Sequence, residues 1–224
     1  MLERKDLENL AFQNGARVFG IADLNFLRQN INKLTGVAEK FTRAIVCGFR
    51  LQKAVLDELK DRPTPLYFHN YRQVNYQLDS IALLIANVIQ DNGFEALAVP
   101  ASQIISRDPM RGFISHKLLG WAAGLGHIGR NNLLVHPEFG AQVRYVSILT
   151  DMPFFPVDKP LQNDCGDCRA CISICPAHAI KEQKENFDLN ACYSKLNEFV
   201  KLSFVGQHIC GLCVKACPGK KWKK

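Results

Sequence analysis

The fold of this chain is decided by residues 165–176, which read CGDCRACISICP. Residues 210–218 repeat the later part of that pattern as CGLCVKACP. Eight of the nine cysteines lie between Cys165 and Cys217, and only Cys47 precedes them. The first residues show no secretory signal, and in such a chain dense cysteines indicate metal or cluster ligands before they indicate disulfides. The sequence therefore predicts a cysteine-built module behind a domain that is held together by ordinary packing.

The spacing of the first stretch is the one with which bacterial ferredoxins bind [4Fe-4S] clusters. Its first three cysteines wrap one cluster, while the fourth binds a second cluster. We expect Cys175 to begin a helix that directs it to the second cluster, and Cys217 to replace it at the first by pseudo-symmetry. Cys192 completes the second cluster, because Gln207 stands where a regular second motif would begin. The predicted ligands are Cys165, Cys168, Cys171 and Cys217 for cluster one, and Cys175, Cys192, Cys210 and Cys213 for cluster two.

Zinc is the alternative occupant, because Cys-x2-Cys pairs also build tetrahedral zinc sites. A zinc ribbon, however, uses two such pairs with a longer spacer and needs no triple followed by Cys-Pro. The pattern therefore favours two clusters. The remaining cysteine, Cys47, lies in an apolar run and is expected to be a buried strand residue.

Length and composition are those of a folded protein. The chain has 224 residues, of which 47% are hydrophobic and 22% charged, which is enough for one large domain or two modest ones. No apolar stretch approaches the roughly 20 residues that cross a bilayer, so we expect a cytoplasmic protein with no membrane partner. The net charge of +7 includes four lysines among the last five residues, 220–224. This tail could contact phosphates or an acidic protein, or it could be a solvated end.

The residues before the cysteines mix two periodicities. Helical spacing of apolar residues predicts helices over 3–14, 74–91 and 115–123. Short apolar or β-branched runs predict strands over 44–49, 96–99 and 143–149. This mixture indicates an α+β chain with a layered first domain. Because 152–164 is rich in proline and is expected to be a linker, we place the domains at 1–155 and 156–224.

The sequence GLGHIG at 124–129 matches a dinucleotide-binding fingerprint only in its letters. That fingerprint needs a strand before it and a long helix after it, whereas here a helical stretch precedes it and only a short segment follows. Three glycines in six residues still mean that the backbone comes close to a neighbouring element or to a flat ligand. Most of the histidines are expected to be ordinary surface or core groups, but His127 lies inside this loop.

Several stretches together resemble the epoxyqueuosine reductase family, which is related to the reductive dehalogenases. They are AAGLGHIGRNN at 122–132, LLV at 133–135, Gly140, ILTD at 148–151 and the cysteine order with its isolated Cys192. The resemblance is strongest from about Ser115 to Pro218. It implies a nitroreductase-like α/β/α domain that holds a cobalamin, followed by a ferredoxin-like module whose two [4Fe-4S] clusters supply it with electrons.

The resemblance also implies roles for particular residues. The loop Gly124, Leu125, Gly126, His127, Ile128 and Gly129 would line the corrin ring. Asp108 or His127 would donate a proton, and Asp108 could instead form an Asp-Pro turn. The family typically has an aromatic residue where His127 stands, so this imidazole could also reach the cobalt. The sequence ends soon after Cys217, so we expect the helical-repeat domain that helps the family hold tRNA to be absent, which weakens the case for tRNA as a partner.

Three functions are compatible with these residues. The first is a cobalamin-dependent iron–sulfur reductase, supplied by a ferredoxin or flavodoxin and acting on a small molecule or modified nucleoside. The second is an electron-transfer protein without substrate chemistry of its own, which could reduce the corrinoid of another enzyme. The third is a redox-sensing regulator, which would explain the basic tail but has no helix-turn-helix signature.

Overall fold

The protein is described by a computed structural model that covers residues 2–31, 36–103, 105–107, 110–154 and 156–219. The helices are α1 Arg4–Gln13, α2 Leu24–Ile31, α3 Lys53–Asp57, α4 Pro65–Asp91, α5 His116–Ala122, α6 Ala170–Ser173, α7 Leu189–Lys201 and α8 Leu212–Lys215. The strands are β1 Val18–Asp23, β2 Arg43–Arg50, β3 Ala96–Val99, β4 Ser106–Arg107, β5 Met110–Arg111, β6 His127–Ile128, β7 Leu134–Val135 and β8 Val143–Thr150. Short 3-10 turns occur at Gly36–Lys40 and Lys184–Asn186. The predicted α+β class is confirmed.

The chain forms two compact units, each built from separated segments. The first comprises residues 1–49, 75–125 and 144–161, and the second comprises 50–74, 126–143 and 162–224. The predicted division into consecutive domains at residue 155 stays a prediction. Within the described residues, no helix is long and apolar enough to cross a membrane.

The first unit is organised around a four-stranded sheet in the order β1-β2-β8-β3. Strand β1 pairs antiparallel with β2, and β3 pairs antiparallel with β8. The strands predicted over 44–49, 96–99 and 143–149 are confirmed as β2, β3 and β8. The apolar runs of β2 and β8 are buried along nearly their whole length, whereas in β3 only Val99 is buried. Cys47 in β2 is completely buried, as the sequence predicts. Burial raises the pKa of its thiol.

Strand β1 and the start of helix α4 differ from what the sequence predicts. Strand β1 was missed because Gly20 interrupts its pattern, yet that glycine is needed where β1 meets the end of α5: a Cβ there would lie 2.8 Å from the carbonyl oxygen of Ala123. The long helix α4 begins at Pro65 rather than near residue 74. Proline is favoured in the first turn of a helix, and the hydroxyl of Thr64 accepts the N–H of Tyr67.

The segment 152–164 was expected to be a linker, but its first part is fastened to the first unit. Met152 and Phe154 are buried. The carboxylate of Asp158 pairs with the guanidinium of Arg4 at 2.8 Å and accepts the N–H of Ile21 at 2.9 Å. Buried apolar groups and a bidentate ion pair outweigh the loop-like composition of the segment.

His116 supplies a pH-dependent contact in the first unit. Its Nδ1 lies 2.8 Å from the hydroxyl of Ser147, and its Nε2 lies 2.9 Å from the carbonyl oxygen of Pro100. Burial lowers the pKa of this imidazole to about 4, with a smaller contribution from the positive charge of Arg144. The folded state therefore holds the neutral ring.

We predict that His116 makes the protein less stable as the pH falls from about 6.5 towards 4. In this range its imidazole binds a proton in the unfolded chain but not in the folded chain. In His116→Gln, the loss of unfolding free energy on acidification should be smaller by up to about 1.4 kcal/mol for each pH unit below 6.5. Denaturant unfolding at pH 7 and pH 5 measures this difference. His69→Gln, at an exposed position of α4, is the control. Equal pH dependence in His116→Gln and wild type would contradict the prediction.

Candidate metal centre

The second unit brings the eight clustered cysteines into two groups. The thiol of Cys171 interacts electrostatically with three others, those of Cys165, Cys168 and Cys217. The thiols of Cys210 and Cys213 both interact with those of Cys175 and Cys192. The spacing predicts the same two groups, and their role as cluster ligands stays a prediction. Cys213 also interacts with Cys171, so the two groups are neighbours.

Two short helices bring the cysteine runs together. Helices α6 and α8 pack against each other, and each has four residues and is followed by a Cys-Pro pair. Cys175 was expected to begin a helix, but it follows the C-terminal end of α6, and Cys217 follows α8 in the same way. The two runs are related by the predicted pseudo-symmetry, although Cys175 and Cys217 each follow a helix instead of starting one.

Burial disfavours ionisation of several of the clustered thiols. Burial raises the pKa of Cys171 and of Cys210 to about 11 each, and it also raises the pKa values of Cys192 and Cys213. Neighbouring thiolates add repulsion to the burial at each of these positions. These thiols therefore favour the protonated form. Binding of a cluster, which requires thiolates, would release protons.

The first cysteine group lines a cavity of about 480 Å³ together with His127 and Asn131. Sulfur ligands of a single zinc ion would lie within about 4 Å of one another, since each Zn–S bond is about 2.3 Å. Among the described residues, no three Cys, His, Asp or Glu side chains converge as the ligands of one ion would. Four of the side chains that line the cavity are cysteines, and a [4Fe-4S] cluster is held at four sulfurs.

Polar atoms at this cavity fit an anionic cluster. In the described part of the chain, Nδ1 of His127 and Nδ2 of Asn131 are buried without a hydrogen-bond partner. The Oδ1 of Asn131 accepts the N–H of Leu133, which leaves its amide N–H groups for another acceptor. A buried unpartnered donor is costly, and the sulfides and thiolates of a [4Fe-4S] cluster are acceptors. The residues present thus fit such a cluster.

Arg130 ties the first cysteine loop to its surroundings. Its guanidinium donates to the backbone carbonyls of Gly166 at 2.9 Å, Cys168 at 3.0 Å and Glu182 at 2.6 Å. Three carbonyls that point at one planar donor group fix the path of the chain between the first two cysteines. Sequence reasoning missed this role, although Arg130 stands next to Gly129 in the quoted motif.

Gly140 fits the other end of the first group. It has a φ of 60°, and a Cβ at this position would overlap the carbonyl oxygen of Cys217. The next residue, Ala141, donates its N–H to that same oxygen at 2.9 Å. Only glycine allows so close an approach of two backbones with a left-handed φ. The carbonyl of Cys217 is therefore held by the turn at 136–140.

The second cysteine group depends on α7 and on another glycine. Cys192 lies in α7, whose N-terminus is capped by the carboxylate of Asp188 accepting the N–H of Ala191 at 2.9 Å. Gly211 follows Cys210 with a φ of 87°, and a Cβ there would lie 2.6 Å from the ring of Tyr67. Both cysteines are thus placed by ordinary capping and packing.

In the loop at 124–129, protein atoms occupy the space that a side chain would need at each of the three glycines. A Cβ at Gly124 would lie 2.6 Å from the carbonyl oxygen of Lys159, and one at Gly126 would overlap the carbonyl of Val135. A Cβ at Gly129 would lie 2.7 Å from the side chain of Val135. The glycines therefore allow close packing against protein, and the predicted corrin contacts stay a prediction.

The remaining predicted residues of this region are placed as follows. Leu125 is buried, and Ile128 pairs with Leu134 in the β6–β7 hairpin. His127 faces the first cysteine group, with its Nε2 3.6 Å from the sulfur of Cys165. Burial lowers the pKa of the His127 imidazole. Asp108 and the basic tail at 220–224 lie outside the described residues.

Sequence comparison places this geometry among known proteins. Residues 164–220 match the family described as "4Fe-4S double cluster binding domain". The epoxyqueuosine reductase of Aliivibrio fischeri is 31% identical over 178 residues, which cover 71% of this chain and 44% of that protein. This chain is similar to the epoxyqueuosine reductases over part of their length. The resemblance predicted from the sequence motifs is thereby confirmed, and the chain spans less than half of the length of that relative.

Solved structures of similar proteins agree with the fold of this chain. A catabolic reductive dehalogenase in complex with 3-bromo-4-hydroxybenzoic acid superposes with a TM-score of 0.73 at 19% identity, covering 94% of this chain and 31% of that chain. The epoxyqueuosine reductase of Streptococcus thermophilus gives a TM-score of 0.61 at 18% identity, covering 97% of this chain and 66% of that chain. Both share the mixed helix and sheet architecture.

We predict that Gly140→Ala lowers the unfolding free energy by more than about 1 kcal/mol, because the new methyl group needs a left-handed φ and the space of the Cys217 carbonyl. Iron bound by the first cysteine group should fall with it. Denaturant unfolding and iron analysis under anaerobic conditions measure both effects. Gly206→Ala is the matched control, since its Cβ would meet only the Phe68 ring at an ordinary 3.4 Å. Equal iron content and stability in Gly140→Ala and Gly206→Ala would disprove the role of the turn.

We predict that Arg130→Lys loses iron to a chelator about tenfold faster than wild type, since one hydrogen bond from a charged donor is worth about 1.5–3 kcal/mol and lysine cannot reach three carbonyls at once. The rate of bleaching of the iron–sulfur absorption measures the loss. Arg169→Lys is the control, because the exposed Arg169–Glu182 ion pair contributes little. If both variants bleach at the wild-type rate, Arg130 does not hold the loop.

Proposed function

We propose that this chain is an iron–sulfur oxidoreductase whose two [4Fe-4S] clusters pass electrons to a bound cobalamin that reduces a substrate not yet identified. The observation that carries the proposal is the cavity at the first cysteine group, lined by four sulfurs and by buried nitrogens that have no hydrogen-bond partner within the described residues. The ligands are Cys165, Cys168, Cys171 and Cys217 for cluster one, and Cys175, Cys192, Cys210 and Cys213 for cluster two.

Different residues of the chain have different roles in the proposed electron transfer. Cys168 is exposed, which makes its side of cluster one the place where an electron enters. Cys171 and Cys213 interact across the two groups, so the route between the clusters runs between them. Arg130 and the turn at 136–140 hold the loops of cluster one in place while its charge changes. When bound, the clusters supply one-electron steps that protein side chains alone cannot provide.

The partners belong to the proposal as well. A ferredoxin or flavodoxin is the expected donor, because redox proteins meet through small, electrostatically matched surfaces and this chain carries a net charge of +7. The substrate would be a small molecule or a modified nucleoside, with tRNA as a weaker alternative, and the setting would be the cytoplasm. Asp108 and His127 are the candidate proton donors.

Cobalamin enters the proposal through the relatives. A solved reductive dehalogenase described as using a B12-dependent mechanism matches this chain with a TM-score of 0.64 at 18% identity, covering 79% of this chain and 25% of that chain. At each glycine of 124–129 the space beside the Cα is occupied by protein, so no step of the reaction is assigned to these glycines.

The same observation favours a second candidate, an electron-transfer protein without a corrinoid. If the glycines serve only close packing, their presence requires no bound macrocycle. Two clusters in a protein of this kind would carry electrons between a donor and another enzyme.

The first test is the metal content and its dependence on single cysteines. Anaerobically purified protein should contain about eight irons and eight sulfides per chain, the content of two cubanes. Cys168→Ala should keep about half of the iron, because cluster one loses a ligand while cluster two keeps all four. Cys47→Ala, which removes the buried cysteine of β2, is the matched control and should keep all of it. One zinc per chain, or loss of all iron in Cys168→Ala, would contradict the ligand assignment.

Titration with hydroxocobalamin separates the two candidate functions. If the absorption spectrum shows base-off binding and the reduced clusters convert the cobalt to Co(II), the reductase function is supported. If the protein holds eight irons and leaves the cobalamin spectrum unchanged, the electron-transfer function is supported and the search turns to the partner.

A further inference from the structure

The imidazole of His127 lies beside the first cysteine group. This residue begins β6 in the second unit, and its Nε2 lies 3.6 Å from the sulfur of Cys165, which is within the range of hydrogen bonds to sulfur. Both side chains line the same cavity. The approach depends on Gly129, two residues later, since a Cβ there would already lie 3.3 Å from that sulfur. The backbone of this segment therefore passes directly beside a cluster ligand.

The surroundings of the ring decide which nitrogen carries the hydrogen. Nδ1 is buried and has no hydrogen-bond partner among the described residues. A cysteine sulfur bound to iron is a thiolate, which has no hydrogen to donate and can only accept one. With the hydrogen on Nε2, the ring donates to the sulfur of Cys165. The neutral imidazole thus has one favourable tautomer, and it is a donor to this cysteine.

We propose that His127 donates an Nε2–H hydrogen bond to the sulfur of Cys165 and thereby raises the midpoint potential of cluster one. This inference rests on the proposed function, because it requires a [4Fe-4S] cluster at Cys165. Reduction adds one electron to the cluster and increases the negative charge on its sulfurs. A donor aimed at a ligand sulfur stabilises the reduced form more than the oxidised form, so cluster one accepts its electron more readily than it would without the bond.

The proposal gives His127 a role distinct from that of a proton source. The hydrogen on Nε2 stays on the ring throughout the electron transfer, and only the strength of its bond to sulfur changes. The electron enters from the external donor and leaves towards cluster two. His127 therefore sets how readily cluster one takes up electrons from the donor, and the candidate proton donor that remains is Asp108.

The test is an anaerobic redox titration with dithionite, followed by electron paramagnetic resonance of the reduced clusters. Four proteins are compared: wild type, His127→Phe, His127→Gln and His69→Phe. The potential of cluster one is identified as the step that is absent in Cys168→Ala. His127→Phe keeps a flat ring but removes the donor, His127→Gln keeps an N–H donor, and His69→Phe makes the same exchange at an exposed position that does not line the cavity.

We expect His127→Phe to lower the potential of cluster one and leave that of cluster two unchanged, while His127→Gln shifts it less and His69→Phe shifts neither. A merely structural role for His127 would change iron occupancy without this selective shift. If His127→Phe holds both clusters and titrates at the wild-type potentials, the proposal is overturned. If wild type itself contains no four-iron clusters, the proposed function fails as well, and the iron content distinguishes the two failures.

A measurement on unmutated protein covers the case in which His127→Phe does not assemble cluster one. Reduced wild-type protein labelled with ¹⁵N-histidine should show a nitrogen hyperfine coupling to cluster one. The coupling should be lost in equally labelled His127→Gln. Absence of the coupling in wild type would overturn the proposal, and its presence in wild type but not in His127→Gln would support it.

Discussion

Close packing of residues 126–143 against the cysteine loops is the constraint on which the metal centre depends. The loops themselves have little regular structure, since α6 and α8 contain four residues each. So short a helix cannot hold four sulfurs in place by its own hydrogen bonds. The carbonyls of Gly166 and Cys168 are instead bound by Arg130, and that of Cys217 by Ala141. The shape of the cluster site is imposed by chain that lies outside the cysteine motifs.

This arrangement makes a cluster a structural element as well as a redox group. Burial raises the pKa values of Cys171, Cys210 and Cys213, and among the described residues the amide nitrogen of Asn131 is buried beside the first group without a hydrogen-bond partner. A bound cluster would stabilise the thiolates and accept the N–H of Asn131. Cluster binding would therefore be coupled to folding of the second unit.

The sequence predicted those features that depend on short-range pattern. The grouping of the cysteines follows from spacings of two and three residues, and the strands β2, β3 and β8 follow from compact apolar runs. It could not predict contacts that join distant parts of the chain. The clamp of Arg130 on residues 36–52 positions away, the contact of Gly140 with Cys217 and the pairing of Asp158 with Arg4 leave no local periodicity. Strand β1 and the fastened segment after residue 152 were missed for the same reason, because tertiary packing overrode a glycine and several prolines.

The glycine loop and the cysteine runs together form the site of cluster one. This affects the choice between the two candidate functions. Gly126 and Gly129 let the β6–β7 hairpin fold tightly, which carries His127 to Cys165 and Arg130 to the loop beyond it. The joint presence of the two motifs is thus explained by positioning of cluster one, whether or not a corrinoid is bound. An electron carrier would need this device as much as a reductase would. What a reductase needs in addition is an acceptor within reach of the clusters, so binding of cobalamin, rather than the presence of the glycine motif, is the property that separates the two.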